Sequence, residues 1–221
     1  IVQLQNLFRG VLKDPSTAIE MFYRRSLALF AVMYDANPLK ILASCIRGML
    51  ISAPGKDLLC VDYNSIEARV LAWLAGQLDI LEAFRNGVEI YKYTAAKIYK
   101  TTVDRVTKAQ RFIGKIAVLA LGFQGGKKAF AKMARQHTVE IEEEFAEQIK
   151  VDWREANPMI VQLWYDLETY AIAAVANPGK IYQLKNKKIM FAVKDDFLYM
   201  RLPSGRKVAY FQPQLDCEGK L

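Results

Sequence analysis

The sequence predicts an α+β fold: a small, incomplete antiparallel sheet with a large, mainly α-helical insertion. Strand-like runs stand at Met49 to Ser52 and Leu58 to Val61, and strand-like alternation returns late in the chain as LYMRL and KVAYF. Between them, apolar residues recur at helical spacing, and Pro and Gly punctuate the chain where helices should start and stop. Strands, then helices, then strands again fit a helical insertion in a sheet-bearing part.

Asp14-Pro15-Ser16 is a helix start, and Ile19, Phe22, Leu27 and Phe30 continue the apolar spacing up to Asp35. Asn37-Pro38 opens a shorter helix ending by Gly48, and the turn Ala53-Pro54-Gly55-Lys56 gives the two following strands a hairpin form. Ile66, Val70, Trp73 and Leu74 share one helix face, with Glu67 near its N-terminal end. Further helices are predicted over Ile80 to Phe84, Ile90 to Tyr99, Lys108 to Phe123, Lys127 to Arg135, Ile141 to Ala156 and Met159 to Ala176. Asn157-Pro158 and Asn177-Pro178-Gly179 divide and end the last two, and Pro203-Ser204-Gly205 turns the final hairpin. No internal repeat or low-complexity tract interrupts this order.

With 221 residues, 52% of them hydrophobic, the chain can bury a substantial core in one large domain or two modest ones. Its 31 Lys+Arg against 23 Asp+Glu, a net charge of +8, favour a polyanionic partner, nucleic acid or an anionic membrane. No apolar run approaches the roughly 18 residues of a transmembrane helix, and IVQLQNLFRG is no signal pattern. The expectation is a soluble, intracellular chain. Cys45, Cys60 and Cys217 have no metal-site or disulfide spacing and read as reduced, mostly buried thiols; the single histidine, His137, is given no role. The chain opens on Ile1 and closes on LDCEGKL, so it is expected to be a piece of a longer polypeptide.

Three constellations could carry chemistry. Asp62 ends the run Leu58 to Val61 where a strand would meet a helix, a rigid place for a metal ligand or catalytic acid. By position alone, capping the strand or helix is the plainer role, and one acid does not make a two-metal site. In Thr107 to Phe130, Thr107 and Gln110 form a capping box, and Arg111, Lys115, Leu119 and Phe123 then draw one helical stripe. A phosphate chain could lie along the two cations and a flat ring beside the apolar pair; a solvated face next to core accounts for the same residues. GFQGGKKAF lacks the Walker spacing, which excludes that type of nucleotide loop. Lastly, Lys180, Lys185, Lys187, Lys188, Lys194, Arg201, Arg206 and Lys207 are interleaved with Tyr182, Phe191, Tyr199 and Tyr210, which suits either a nucleic-acid surface or an exposed hairpin.

Together these residues resemble family A DNA polymerases, the polymerase I-like enzymes, in their phage or prophage branch. DYNSIEARVLAWLAG, from Asp62 to Gly76, is similar to motif A, usually written DYSxIExRVLAxLxG, and RFIGKIAVLALGFQGG, from Arg111 to Gly126, is similar to motif B on the fingers. LQN, Leu4 to Asn6, is similar to a segment after the thumb, and EIYKYTAAKIY also matches in register. The resemblance implies a thumb–palm junction and first part of the palm over residues 1–88, helical fingers over 89–180, and a strand-rich return toward the palm over 181–221.

It also implies roles. Asp62 would bind two catalytic Mg2+ ions, joined by the backbone carbonyl of Tyr63. Glu67 would lie under the sugar of the incoming nucleotide and help exclude a 2′-hydroxyl, with Arg69 in support. Arg111 and Lys115 would hold the triphosphate, Leu119 would flank sugar and base, Phe123 would stack near the templating base, and Gln5 and Asn6 would touch DNA. Tyr91 stands where other members often place a triphosphate-contacting His, Leu119 where many place Phe or Tyr, and Phe123 where Tyr is commoner. The His-Asp-Glu of motif C is absent: His137 is followed by Thr138 and Val139. The implied function is template-directed DNA polymerase, with this piece alone inactive; the alternative is a non-catalytic nucleic-acid-binding module on the same scaffold. Implied partners are primer-template DNA and dNTPs, with no membrane, in the cytoplasm of a bacterium or phage-infected cell, and self-association of the isolated piece is plausible.

Overall fold

The computed structural model describes residues 7, 12, 14–25, 27–34, 37–184 and 189–221. The chain divides into two compact units, Ile1–Asp62 and Tyr63–Leu221.

In the first unit, α1 (Pro15–Tyr23) begins where Asp14 accepts hydrogen bonds from the backbone N–H groups of Ser16 and Thr17, with Pro15 in the first turn. The helix expected to run on to Asp35 instead breaks at Arg24 and Arg25, the latter at φ 54°, and resumes as α2 (Leu27–Tyr34). The break lets Phe30 fold back on Phe22, ring centroids 4.5 Å apart, in a small core with Ala18, Met21 and Cys45. Asn37 caps α3 (Pro38–Gly48), its side chain accepting from Leu39 N–H at 2.9 Å.

The strands expected at Met49 to Ser52 and Leu58 to Val61 do not form. The intervening turn does, closed by Lys56 N–H donating to Ala53 C=O at 3.0 Å with Gly55 at φ 71°. A strand is held by its ladder and by burial of one face, and among the described residues neither is present: Leu58, Leu59 and Val61 are all exposed. Consequently Cys60 is exposed too, as is Cys217, and Cys45 is the one buried thiol, against the expectation of mostly buried cysteines.

The second unit holds α4 (Ile66–Ala75), α5 (Leu78–Arg85), α6 (Ile90–Ile98), a single 3-10 turn (Val103–Arg105), α7 (Lys108–Leu121), α8 (Lys127–Gln136), α9 (Glu143–Ala156) and α10 (Pro158–Ala176). The predicted face of α4 is not the buried one. Ile66, Val70 and Trp73 are exposed, while Ala72 and Ala75 are buried with Leu71 and Leu74 packed on the core. Close helix approach selects small side chains there, a preference that reading for large apolar residues overlooks. The same closeness governs α6 and α7: a Cβ on Gly114 would lie 2.2 Å from the Tyr91 carbonyl oxygen. Ile116, Leu121, Phe130, Ile149, Ile160 and Leu163 fill the core, and Trp153 of α9 stacks on Trp164 of α10 at 5.8 Å. His137 ends α8 with its ring edge-on to Phe112.

A polar staple joins these helices. Asp79 accepts from Gln77 at 2.6 Å, from the Tyr93 hydroxyl at 3.1 Å and from Lys97. Lys97 also donates to the Ala156 carbonyl at 2.9 Å, and the buried Gln77 accepts from Met159 N–H at 3.0 Å. Burial alone would raise the Asp79 pKa, yet hydrogen bonds from Lys97 and Gln77 hold it below the usual carboxylate value. Burial, with the adjacent Asp79 charge, pushes Tyr93 up to about 12.

The chain ends in an antiparallel meander, β1 (Ile181–Gln183), β2 (Met190–Lys194), β3 (Phe197–Arg201) and β4 (Lys207–Phe211), in that spatial order. The expected hairpin is β3 and β4, in register from Phe197↔Phe211 to Arg201↔Lys207; β1 and β2 extend it. Phe191 and Leu198 turn one face into the core. An α+β fold is thus present, with its sheet at the end of the chain. Among the described residues, no single helix is long and apolar enough to cross a membrane.

Candidate functional site

The expected site residues gather unevenly. Glu67, Tyr91, Leu119 and Phe123 line one cleft in the second unit, together with Ala68, Leu71, Thr94, Val118, Gly122, Trp153 and Ile160. Each arrives on a different support. Glu67 sits in the first turn of α4, where the helix dipole favours a carboxylate. Tyr91 is in the first turn of α6, and Leu119 is on the last turn of α7. Phe123 lies just past α7, which ends at Leu121 rather than running on to it, and it is 65% exposed. Gly122 keeps the cleft open: a Cβ there would meet Leu71 at 3.4 Å and the Val118 carbonyl at 2.7 Å.

The enclosed volume is about 50 Å³, room for a few waters. A nucleoside does not fit inside. A flat ring and its sugar could lie only across the mouth, between the carboxylate of Glu67 and the exposed ring of Phe123.

Arg111 and Lys115 precede Leu119 on α7, each a turn apart, at about 6 Å of rise. The capping box expected from Thr107 and Gln110 is present and fixes where this helix starts. Arg111 donates to Glu89 at 2.8 Å and lies 5.6 Å from the Tyr91 ring centroid. Lys115 is half-buried and has no ion pair among the described residues. Glu89 was not singled out in the sequence. It precedes Tyr91 in EIYKYTAAKIY, and nothing in its local pattern announces a partner 22 residues away.

Arg69 clamps the turn into α4. Its Nε donates to the Asn64 carbonyl at 2.9 Å, and its guanidinium lies 4.1 Å from the Phe84 ring centroid. Ser65, in this turn, has a left-handed backbone at φ 51°, so one hydrogen bond and one cation–π contact hold a strained entry to the helix. Tyr63 opens the second unit and is exposed.

Asp62 closes the first unit. It is exposed, on chain without regular structure rather than at the end of a strand, and its carboxylate has no hydrogen bond or ion pair among the described residues of that unit. Among the described residues no three His, Cys, Asp or Glu side chains come together as a metal site. Asp62 and the Tyr63 carbonyl are hard oxygen donors of the kind Mg2+ takes, but they supply a single carboxylate. Gln5 and Asn6 lie outside the described residues.

The model of DNA polymerase family A matches residues 39–191. A DNA polymerase of Bacillus phage SP02 is 37% identical over 220 residues, which are 99% of this chain and 33% of the phage protein. DNA polymerase I of Chloroflexus aurantiacus is 32% identical over 104 residues, 47% of this chain and 10% of that protein. A DNA polymerase of Mycobacterium phage L5 is 34% identical over 87 residues, 39% of this chain and 13% of its own length. The chain therefore spans about a third of the SP02 relative and less of the others.

Proposed function

Because this chain belongs to DNA polymerase family A, we propose that it serves template-directed DNA synthesis, adding deoxynucleotides to a primer 3′-hydroxyl. Residues 1–88 are assigned to the thumb–palm junction and first part of the palm, 89–180 to the fingers and 181–221 to the return toward the palm. The observation that carries the reading is α7, on which two cations lead, turn by turn, to the mouth of a cleft framed by Glu67 and Phe123.

In the reaction, the primer 3′-oxygen attacks the α-phosphorus, the hydroxyl proton is lost, and the bond to pyrophosphate breaks. Arg111 and Lys115 hold the triphosphate and stabilise charge moving onto the leaving oxygens. Tyr91, under the Arg111 guanidinium, helps aim it. Leu119 flanks sugar and base, and Phe123 stacks beside the templating base. Glu67 lies against the sugar, where a 2′-hydroxyl would meet it; with Phe123 in place of a tyrosine, no ring hydroxyl is there to hold that carboxylate. Asp62 and the Tyr63 carbonyl would contribute to holding two Mg2+ ions, which would supply charge stabilisation at the reacting oxygens. Gln5 and Asn6 contact the primer-template, and the protein works in the cytoplasm of a bacterium or phage-infected cell.

No His-Asp-Glu triplet occurs in these 221 residues. The second metal-binding acid is therefore lacking, and the chain alone does not extend primers. Templated extension by it, lost on Asp62→Ala, would overturn that statement. The triphosphate assignment is tested by calorimetric titration with magnesium dNTP: Lys115→Ala should weaken binding about tenfold or more, the scale of one charge-assisted contact. Equal affinity in the two proteins removes Lys115 from the triphosphate site.

A further inference from the structure

We infer that the outward face of the β1–β4 sheet is a contact surface for unpaired nucleic acid. The inference deepens the polymerase reading and rests on it only in taking the strand to be DNA.

Strand alternation sends Phe191 and Leu198 into the core and leaves Phe197, Tyr199, Arg201, Lys207 and Phe211 on the opposite face. Their arrangement is continuous. Phe211 packs on Phe197 at 5.1 Å, Phe197 on Tyr199 at 5.9 Å, and Lys207 lies 5.5 Å from the Tyr199 ring centroid. Phe211 remains 64% exposed, an aromatic face without cover among the described residues.

The charges are equally uncovered. Arg201 and Lys207 are directly opposed across β3 and β4, a like-charge pairing that weakens a sheet unless something anionic sits over it. Neither has a carboxylate partner among the described residues, and none of the four strands contains an acid. From the cation pair to the ring pair is four residues of strand, roughly 13 Å at about 3.3 Å each. That length seats a phosphate at one end and a stacked base at the other. Aromatic rings for bases with cations for phosphates is the chemistry of single-strand recognition, whereas a duplex hides its base faces.

The test is fluorescence anisotropy of labelled oligo(dT), and of a duplex of the same length, with the 221-residue chain. Phe211→Ala should weaken oligo(dT) binding at least about fivefold, the low end for one stacked base, with little change for duplex. The double variant Arg201→Gln/Lys207→Gln should lower the log–log salt slope by roughly 1.4, two single-strand phosphates. Its Tm should not fall, because the opposed charges are gone. Unchanged oligo(dT) affinity and slope in folded variants would overturn the inference. So would variants that change only the sedimentation of the chain, since the face would then serve a second copy. Loss of the dNTP titration with retention of these oligo(dT) effects would sink the polymerase reading and leave this one standing.

Discussion

From Ile51 to Cys60 every residue is exposed, and Asp62 just beyond them has no partner among the described residues of its unit. Over α7, by contrast, Gly114, Ile116, Ala117, Ala120 and Leu121 are buried, the first turn is closed by a capping box, and Gly114 abuts the backbone of α6. The two stretches carry the two halves of the proposed chemistry, the metal-binding acid and the triphosphate grip. A helix closes its hydrogen bonds within itself and needs only neighbours to bury one face. A strand closes its hydrogen bonds on another strand, so residues that read as strands stay open until one is supplied. The proposed grip on phosphate is thus built locally, whereas the run expected as a strand before Asp62 has no ladder among the described residues.

Breaking α7 tests that contrast most strongly. Gly114→Ala would drive a methyl group against the Tyr91 carbonyl, 2.2 Å away, and α6 and α7 must part. The expected loss is about 1–3 kcal/mol, seen as a fall of several degrees in Tm by calorimetry. An unchanged Tm would show that the helices are not so closely set. No comparable substitution exists between Ile51 and Cys60, where no side chain is buried.

The same contrast explains what the sequence made legible. Helix starts at Asp14, Asn37 and Thr107 were readable because each cap lies within a few residues of the groups it satisfies, as was the β3–β4 hairpin with its short turn. Long-range matters were not readable. The strands expected at Met49 to Ser52 and Leu58 to Val61 needed a ladder that local spacing does not supply, and the alanine face of α4 depends on how closely other helices approach. Of the site, Glu67, Tyr91, Leu119 and Phe123 did gather around one cleft. Glu89, which pairs with Arg111, escaped because its partner lies on another helix.

The staple beneath α5 and α6 gives the second unit an alkaline signature. With Tyr93 raised to about 12 in the folded chain against about 10 when unfolded, the folded state keeps a proton that the unfolded state loses. Stability contributed by this group is therefore full below pH 10 and declines as pH rises toward 12. In Tyr93→Phe that decline should be shallower, measured as urea midpoints across the same window. Identical slopes in the two proteins would mean that Tyr93 titrates normally. Asp79 acts in the opposite sense: its lowered folded pKa gives stability present above 3.8 and lost on further acidification.

Glu89 sharpens the comparison on the side of α7. It neutralises Arg111 at 2.8 Å while both side chains are about two-fifths exposed, so a triphosphate held as proposed would have to displace it. Exposed pairs of this kind contribute up to about 1 kcal/mol. Glu89→Gln should free the guanidinium and tighten magnesium dNTP binding by up to about fivefold in the titration used for Lys115→Ala. Weaker binding would instead make Glu89 an aid that orients Arg111.

The smallest effect is expected at the residue with the largest proposed role. Asp62 is exposed and has no partner among the described residues of its unit, so Asp62→Ala removes no buried contact and no hydrogen bond among them. Exposed positions of that kind change stability by about 0.5 kcal/mol or less, and the Tm of the variant should match that of the parent. Binding of magnesium-free dNTP should also be unchanged, because the cations proposed to hold phosphate belong to α7. A clear fall in Tm would mean that Asp62 caps or braces its own surroundings, the plainer role its position first suggested. An unchanged Tm would leave the carboxylate without structural work, as expected of a residue kept for a metal that a second acid must help to hold.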